Sequence, residues 1–174
     1  MKKTFLMLCL IIASWQAFAQ HNHADHNHNG DKDMKNQKNM VMFTDVSITT
    51  AYESYLHLKD ALVLSDQKAA ANAAMALEKL LKKTKVGSKA AKQAAAVSLA
   101  VSLAEQRKAF TTLSDEMSIL VKNNDLSMGK IYLDYCPMAN SNNGGHWLSS
   151  EKNIQNPYFG EMMLKCGSIK ETIE

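Results

Sequence analysis

Cys136 and Cys166 stand in the last quarter of the chain, in a stretch that also holds Met138, His146, Met162 and Met163. Thiolate, thioether and imidazole are the donors that a soft ion such as Cu(I) takes. Cys136 precedes Pro137 and is therefore expected to be extended. Met138 follows two residues on, where a turn around the proline ring can bring the two sulfurs together. Met162 and Met163 lie four and three residues before Cys166, spacings that share one face of a helix. Cys136, Met138, His146, Met162, Met163 and Cys166 are thus the candidate ligands, two to four at a time, of a low-coordination metal site. Such a set suits Cu(I) or Ag(I) better than Zn(II), which takes four thiolate, imidazole or carboxylate ligands. The competing use of the same residues is a Cys136–Cys166 disulfide. It would close a loop of about 31 residues and contribute roughly 3–4 kcal/mol. The methionines would then be gap-filling core residues. From the residues alone, both remain open.

The start of the chain says where this chemistry would take place. Lys2 and Lys3 precede an apolar run from Phe5 to Ala13 that is too short to span a bilayer, and Ala17-Phe18-Ala19 follows with small-x-small spacing. Residues 1 to 19 are expected to be a cleaved secretory signal, with the product periplasmic. Export implies an oxidising compartment, where paired cysteines persist. Residues 20 to 43 are polar and aperiodic, the pattern of a disordered tail. They carry His21, His23, His26 and His28, a cluster able to capture a divalent ion weakly. Removing Lys2 and Lys3 from 20 basic residues leaves 18 against 17 acidic ones, a net charge of +1 with histidines neutral. Nearly balanced charge argues against nucleic acid as a partner, and no stretch after the leader is apolar enough to cross a membrane.

Positioning the sulfurs falls to helices. Ile48, Ala51, Tyr55, Leu58 and Leu62 recur at steps of three and four behind a Thr44 or Asp45 cap. Ser65-Asp66 caps a second helix, with Ala70, Ala73, Leu77, Leu80 and Leu81 as its stripe and Gly87 as its end. Residues 88 to 123 keep the period through Leu99, Leu103, Phe110, Leu113, Met117 and Leu120. As one helix they would run about 54 Å, far longer than the first two. A bend or a split near residues 102 to 106 is therefore expected. Met75 and Met117 fall on or beside the stripes and are expected in the core. The expected fold of residues 44 to 174 is all-α, an antiparallel up-and-down bundle of three to four helices with an irregular C-terminal Cys/Met segment. Ile131 to Tyr135 suits a short extended stretch or a helical turn, and Phe159 to Lys165 a short helix. Trp147, Tyr158 and Phe159 are expected to anchor that segment to the bundle.

No phosphate-binding glycine loop, H-E-x-x-H or G-x-S-x-G occurs, and the two cysteines do not form C-x-x-C. Catalysis is not expected. Tyr55-Leu56-x-Leu58-Lys59-Asp60-Ala61-Leu62-Val63, Arg107-x-x-Phe110-x-x-Leu113-Ser114, Tyr135-Cys136-Pro137-Met138-Ala139, Trp147-Leu148-Ser149, Asn156-Pro157-Tyr158-Phe159-Gly160 and Met163-x-x-Cys166-Gly167 together resemble the domain-of-unknown-function 3347 family of exported bacterial proteins. That domain also occurs appended to periplasmic adaptor subunits of copper and silver efflux pumps. The resemblance therefore implies heavy-metal handling and an efflux adaptor as partner. The Cys-Pro-Met core also resembles the short heavy-metal motif of such adaptors. Ala139 stands where that motif continues with histidine, which leaves His146 as the replacement ligand. The expected function is a periplasmic binding protein or chaperone for copper or silver. The alternative is a non-catalytic structural or interaction module with Cys136 and Cys166 bridged.

Overall fold

The computed structural model describes residues 40–174. The leader over residues 1 to 19 and the histidines at 21, 23, 26 and 28 lie outside them. Four helices make up the bundle: α1 (Val46–Val63), α2 (Gln67–Leu81), α3 (Ser88–Leu99) and α4 (Leu103–Lys122). Three of the four starts carry a side-chain cap, α3 beginning after Gly87 without one. The Asp45 carboxylate accepts from the Ser47 N–H at 2.8 Å, that of Asp66 from Ala69 N–H at 2.8 Å, and the Ser102 hydroxyl from Glu105 N–H at 3.2 Å. The α1–α2 corner is a Schellman turn. Asp66 N–H donates to Ala61 O and Ser65 N–H to Leu62 O, with Ser65 left-handed at φ 57°. One aspartate thus closes one helix and opens the next.

The 36-residue periodic stretch is two helices, split at Ala100-Val101-Ser102, where Ala100 and Ser102 are extended. Leu99 consequently leaves the stripe and is 79 % exposed. Met75 is 51 % exposed on the outer side of α2, contrary to expectation, whereas Met117 is fully buried. Gly87 does not end α2. The helix stops at Leu81, whose carbonyl accepts from the Thr84 hydroxyl at 2.9 Å, and Gly87 stands at the start of α3.

The expectation of a purely helical fold needs correction, because two small antiparallel sheets accompany the bundle. β1 (Met42–Phe43) pairs with β2 (Leu126–Met128). Buried Val41 and Phe43 therefore belong to the folded domain, so the polar tail gives way before residue 43. β3 (Ile131–Cys136) lies between β4 (Gly145–Ser149) and β5 (Ser168–Ile173). β4 is buried along nearly its whole length, and α4 packs beneath it with one face buried. The helix expected from Phe159 to Lys165 is a 3-10 turn at Gly160–Met163. Gly160 enters it at φ +59°, a backbone that cannot continue into α-helix.

A run of aromatic rings joins these parts. Phe43, Tyr52, Tyr55, Phe110, Tyr158 and Trp147 follow one another with centroids 5.4–6.4 Å apart, the range in which ring pairs attract. Midway, the Tyr55 hydroxyl lies 2.7 Å from Ser114 Oγ and accepts from Leu148 N–H at 3.1 Å, tying α1, α4 and β4 at one oxygen. Trp147 and Tyr158 do anchor the C-terminal segment, as expected, with Phe159 partly buried beside them.

Candidate metal centre

Cys136 is the last residue of β3 and is fully buried. Its partner across the ladder is Gly145, and the Tyr158 ring occupies the space where a side chain at Gly145 would stand, 2.6 Å from an added Cβ. Cys166 follows the 3-10 turn, its N–H donating to Met163 O at 3.0 Å. Asn156, fully buried, holds this loop. Its Nδ2 donates to Cys166 O at 2.8 Å, its Oδ1 accepts from Tyr158 N–H at 2.8 Å, and its own N–H donates to Leu164 O at 2.8 Å. Gly167 next to Cys166 is required by space and backbone alike. It sits at φ +146°, and a Cβ there would lie 2.8 Å from the Trp147 ring and 3.0 Å from Tyr135 O.

These constraints bring Cys136 Sγ and Cys166 Sγ to 3.2 Å. Both are free thiols. A disulfide needs about 2.05 Å, and two metal–sulfur bonds of about 2.3 Å span about 3.8 Å at a tetrahedral angle and about 4.6 Å in a linear two-coordinate arrangement. The observed separation lies between the bridged and the metal-spanning distances. The hydrogen bond shared with Cys136, together with desolvation, pushes the Cys166 thiol up. Forming the thiolate pair therefore requires something that displaces both protons, as a soft cation does.

The remaining expected ligands are distributed differently. Neighbouring residues of a strand face opposite sides of the sheet. Asp134 and Trp147 face each other across the ladder on the Cys136 side, and Tyr135 and His146 do so on the other. His146 therefore does not join the thiol pair. Its Nδ1 lies 3.9 Å from Asp115 Oδ1 on α4, and its ring packs on Tyr135 at 4.6 Å. Burial pushes the Asp115 carboxyl up, and His146 opposes this. Met163 is half-buried in the turn that ends at Cys166. Met138, 45 % exposed, and Met162, 78 % exposed, are open to solvent. Among the described residues, no three His, Cys, Asp or Glu side chains form a metal-sized group. The described donor set is two thiols with thioethers nearby in sequence. That suits a soft ion of low coordination number and falls short of zinc's four ligands.

Sequence reasoning missed Asp134. It is fully buried on the Cys136 face, and neither carboxylate oxygen has a partner among the described residues. Tyr52 Oη and Trp147 Nε1 are likewise unpartnered. Burial pushes the Asp134 carboxyl up to about 7, against the pull of Lys59, itself nearly buried and bonded to Asp60 at 2.6 Å. The signal was present as an acid inside an otherwise apolar, aromatic run, Ile131 to Tyr135. Asn156 showed only as the residue before a proline.

Among the described residues, no helix is long and apolar enough to cross a membrane. No curated protein and no solved structure matches the chain. One family model does, over residues 51–129. That span runs from the first turns of α1 to Gly129 after β2, so the thiol pair and its sheet follow it. The region of these helices matches the family model described as Protein of unknown function (DUF3347).

Proposed function

We propose that this protein is a periplasmic binder of a soft metal, copper or silver, and that Cys136 and Cys166 hold the ion as Cu(I). The observation that carries this reading is the 3.2 Å approach of two sulfurs brought together from β3 and from the loop before β5. Two-coordinate binding leaves room for an incoming donor to attach before the old one leaves. That suits a carrier which passes its ion to an efflux adaptor. Met138 and Met163 are the nearest thioethers in sequence for a third bond, and His146 is excluded by its face of the sheet. The histidines at 21, 23, 26 and 28 would supply a separate, weaker capture site for divalent ions.

The same proximity favours a second reading, a structural module closed by a Cys136–Cys166 disulfide. Competition for Cu(I) against a chromogenic chelator, with reductant and without oxygen, separates the two. The carrier takes about one equivalent. Cys136→Ser and Cys166→Ser each lose at least about tenfold in affinity, roughly 1.4 kcal/mol, while His146→Ala does not change it. Failure of the reduced protein to compete would sink the metal reading, and mass measurement without reductant reports the bridge.

A further inference from the structure

A second surface on α4 is separate from the thiol pair. A groove of about 750 Å³ runs between the first turns of α4, the turn at Ala139–Asn142 and the 3-10 segment. Leu103, Phe159 and Met162 make its walls apolar. Its charged lining is Arg107 and Lys108, with no carboxylate among the lining residues. The volume falls in the range of small-ligand sites, which combine apolar walls with a few fixed polar groups.

Arg107 is such a fixed group. Its Nε donates to Pro157 O at 2.8 Å, and its Nη2 to Leu62 O at 3.0 Å and Ser65 Oγ at 2.9 Å. Nη1 has no partner among the described residues. Gly160 makes room for this clamp, since a Cβ there would stand 2.7 Å from Ser65 Oγ and 3.0 Å from Nη2. The guanidinium is thus oriented before any ligand arrives, which lowers the entropy lost on binding. Lys108, one residue on, makes no ion pair among the described residues. The far wall carries Asn140 and Ser141 in left-handed conformation, pinned by Asn140 Nδ2 donating to Thr111 Oγ1 at 2.7 Å and to Gly144 O at 2.9 Å.

We infer that this groove binds a small organic anion with an apolar body, its head held by Arg107 and Lys108 and its chain lying along Leu103, Phe159 and Met162. Charge complementarity selects the occupant. Two cations with no opposing acid disfavour a neutral or cationic guest, and the apolar walls disfavour a bare ion.

Octanoate is the probe, titrated calorimetrically into the reduced full-length protein at low salt, beside octanol and acetate. Octanoate should saturate one site, with octanol and acetate each at least about tenfold weaker. Lys108→Glu and Ala104→Asp, both at exposed positions on the groove, should weaken octanoate by about tenfold or more with the thermal midpoint unchanged. Their Cu(I) titration should match the parent, which separates this result from the fate of the thiol site. Equal affinity for octanoate and octanol, absence of saturation, unchanged affinity in both variants, or binding of a tetraglutamate peptide with none of octanoate would each overturn the inference.

Discussion

Asp134 shows how much a single buried group can weigh. An unfolded aspartate releases its proton near pH 4, whereas the folded carboxyl holds it up to about 7. Between those values the folded state binds one proton more than the unfolded chain, so stability falls as pH rises. Stability from this residue is complete below about pH 4, declines towards pH 7 and is flat above it, a loss of roughly 2–4 kcal/mol. Asp134→Asn should remove most of that slope and unfold at higher temperature than the parent at pH 8. Thermal melts of the metal-free protein at pH 5, 6.5 and 8 measure it, and a variant that keeps the parent's slope would place the titrating group elsewhere. Much at this scale was legible in advance. The two cysteines, the anchoring aromatics and the caps Asp45 and Asp66 follow from side-chain chemistry and local spacing, whereas Ser102 showed only as the edge of the expected split. His146 was misplaced because sequence distance from Cys136 carries no information on which side of a sheet a residue faces.

At the scale of elements, the helices announced themselves because each buries one stripe and leaves the other side wet. Ile48, Tyr55 and Leu62, or Phe110, Leu113 and Met117, repeat at a period that only a helix has. The strands gave a weaker signal, with Ile131 to Tyr135 alone suiting an extended stretch, as β3 proves to be. Leu133 and Asp134 are adjacent and both buried, as are Trp147 and Leu148, so the alternation that marks a half-buried strand is missing. The turn between β3 and β4 is stranger still, with Asn140, Ser141 and Asn142 all left-handed at φ 51°, 57° and 68°. Asparagine tolerates that region and serine does so at a cost. Ser141→Gly should therefore stabilise the protein by about 0.5–1 kcal/mol, read as a higher denaturant midpoint with an unchanged slope. A loss of stability would mean that the Ser141 hydroxyl contributes more than the backbone strain costs.

For the molecule as a whole, the helices alone lack part of their core. The family match ends at residue 129, yet Tyr55 hydrogen-bonds Leu148 and Phe110 packs on Tyr158. A chain truncated after Gly129 would expose this aromatic run and leave the Tyr55 hydroxyl without its β4 partner. It should keep helical circular dichroism but lose its sharp thermal transition, as expected when packing fails and backbone structure survives. A cooperative melt from that fragment would show the bundle to be self-sufficient. The placement of Trp147 has one more consequence. It is the single tryptophan among the described residues, enclosed by protein, with its ring against Gly167, the residue after Cys166. Its emission should accordingly be blue-shifted at rest and respond when the neighbouring sulfurs take up an ion or join. This ring thus offers a built-in optical gauge of the proposed centre, needing no attached dye.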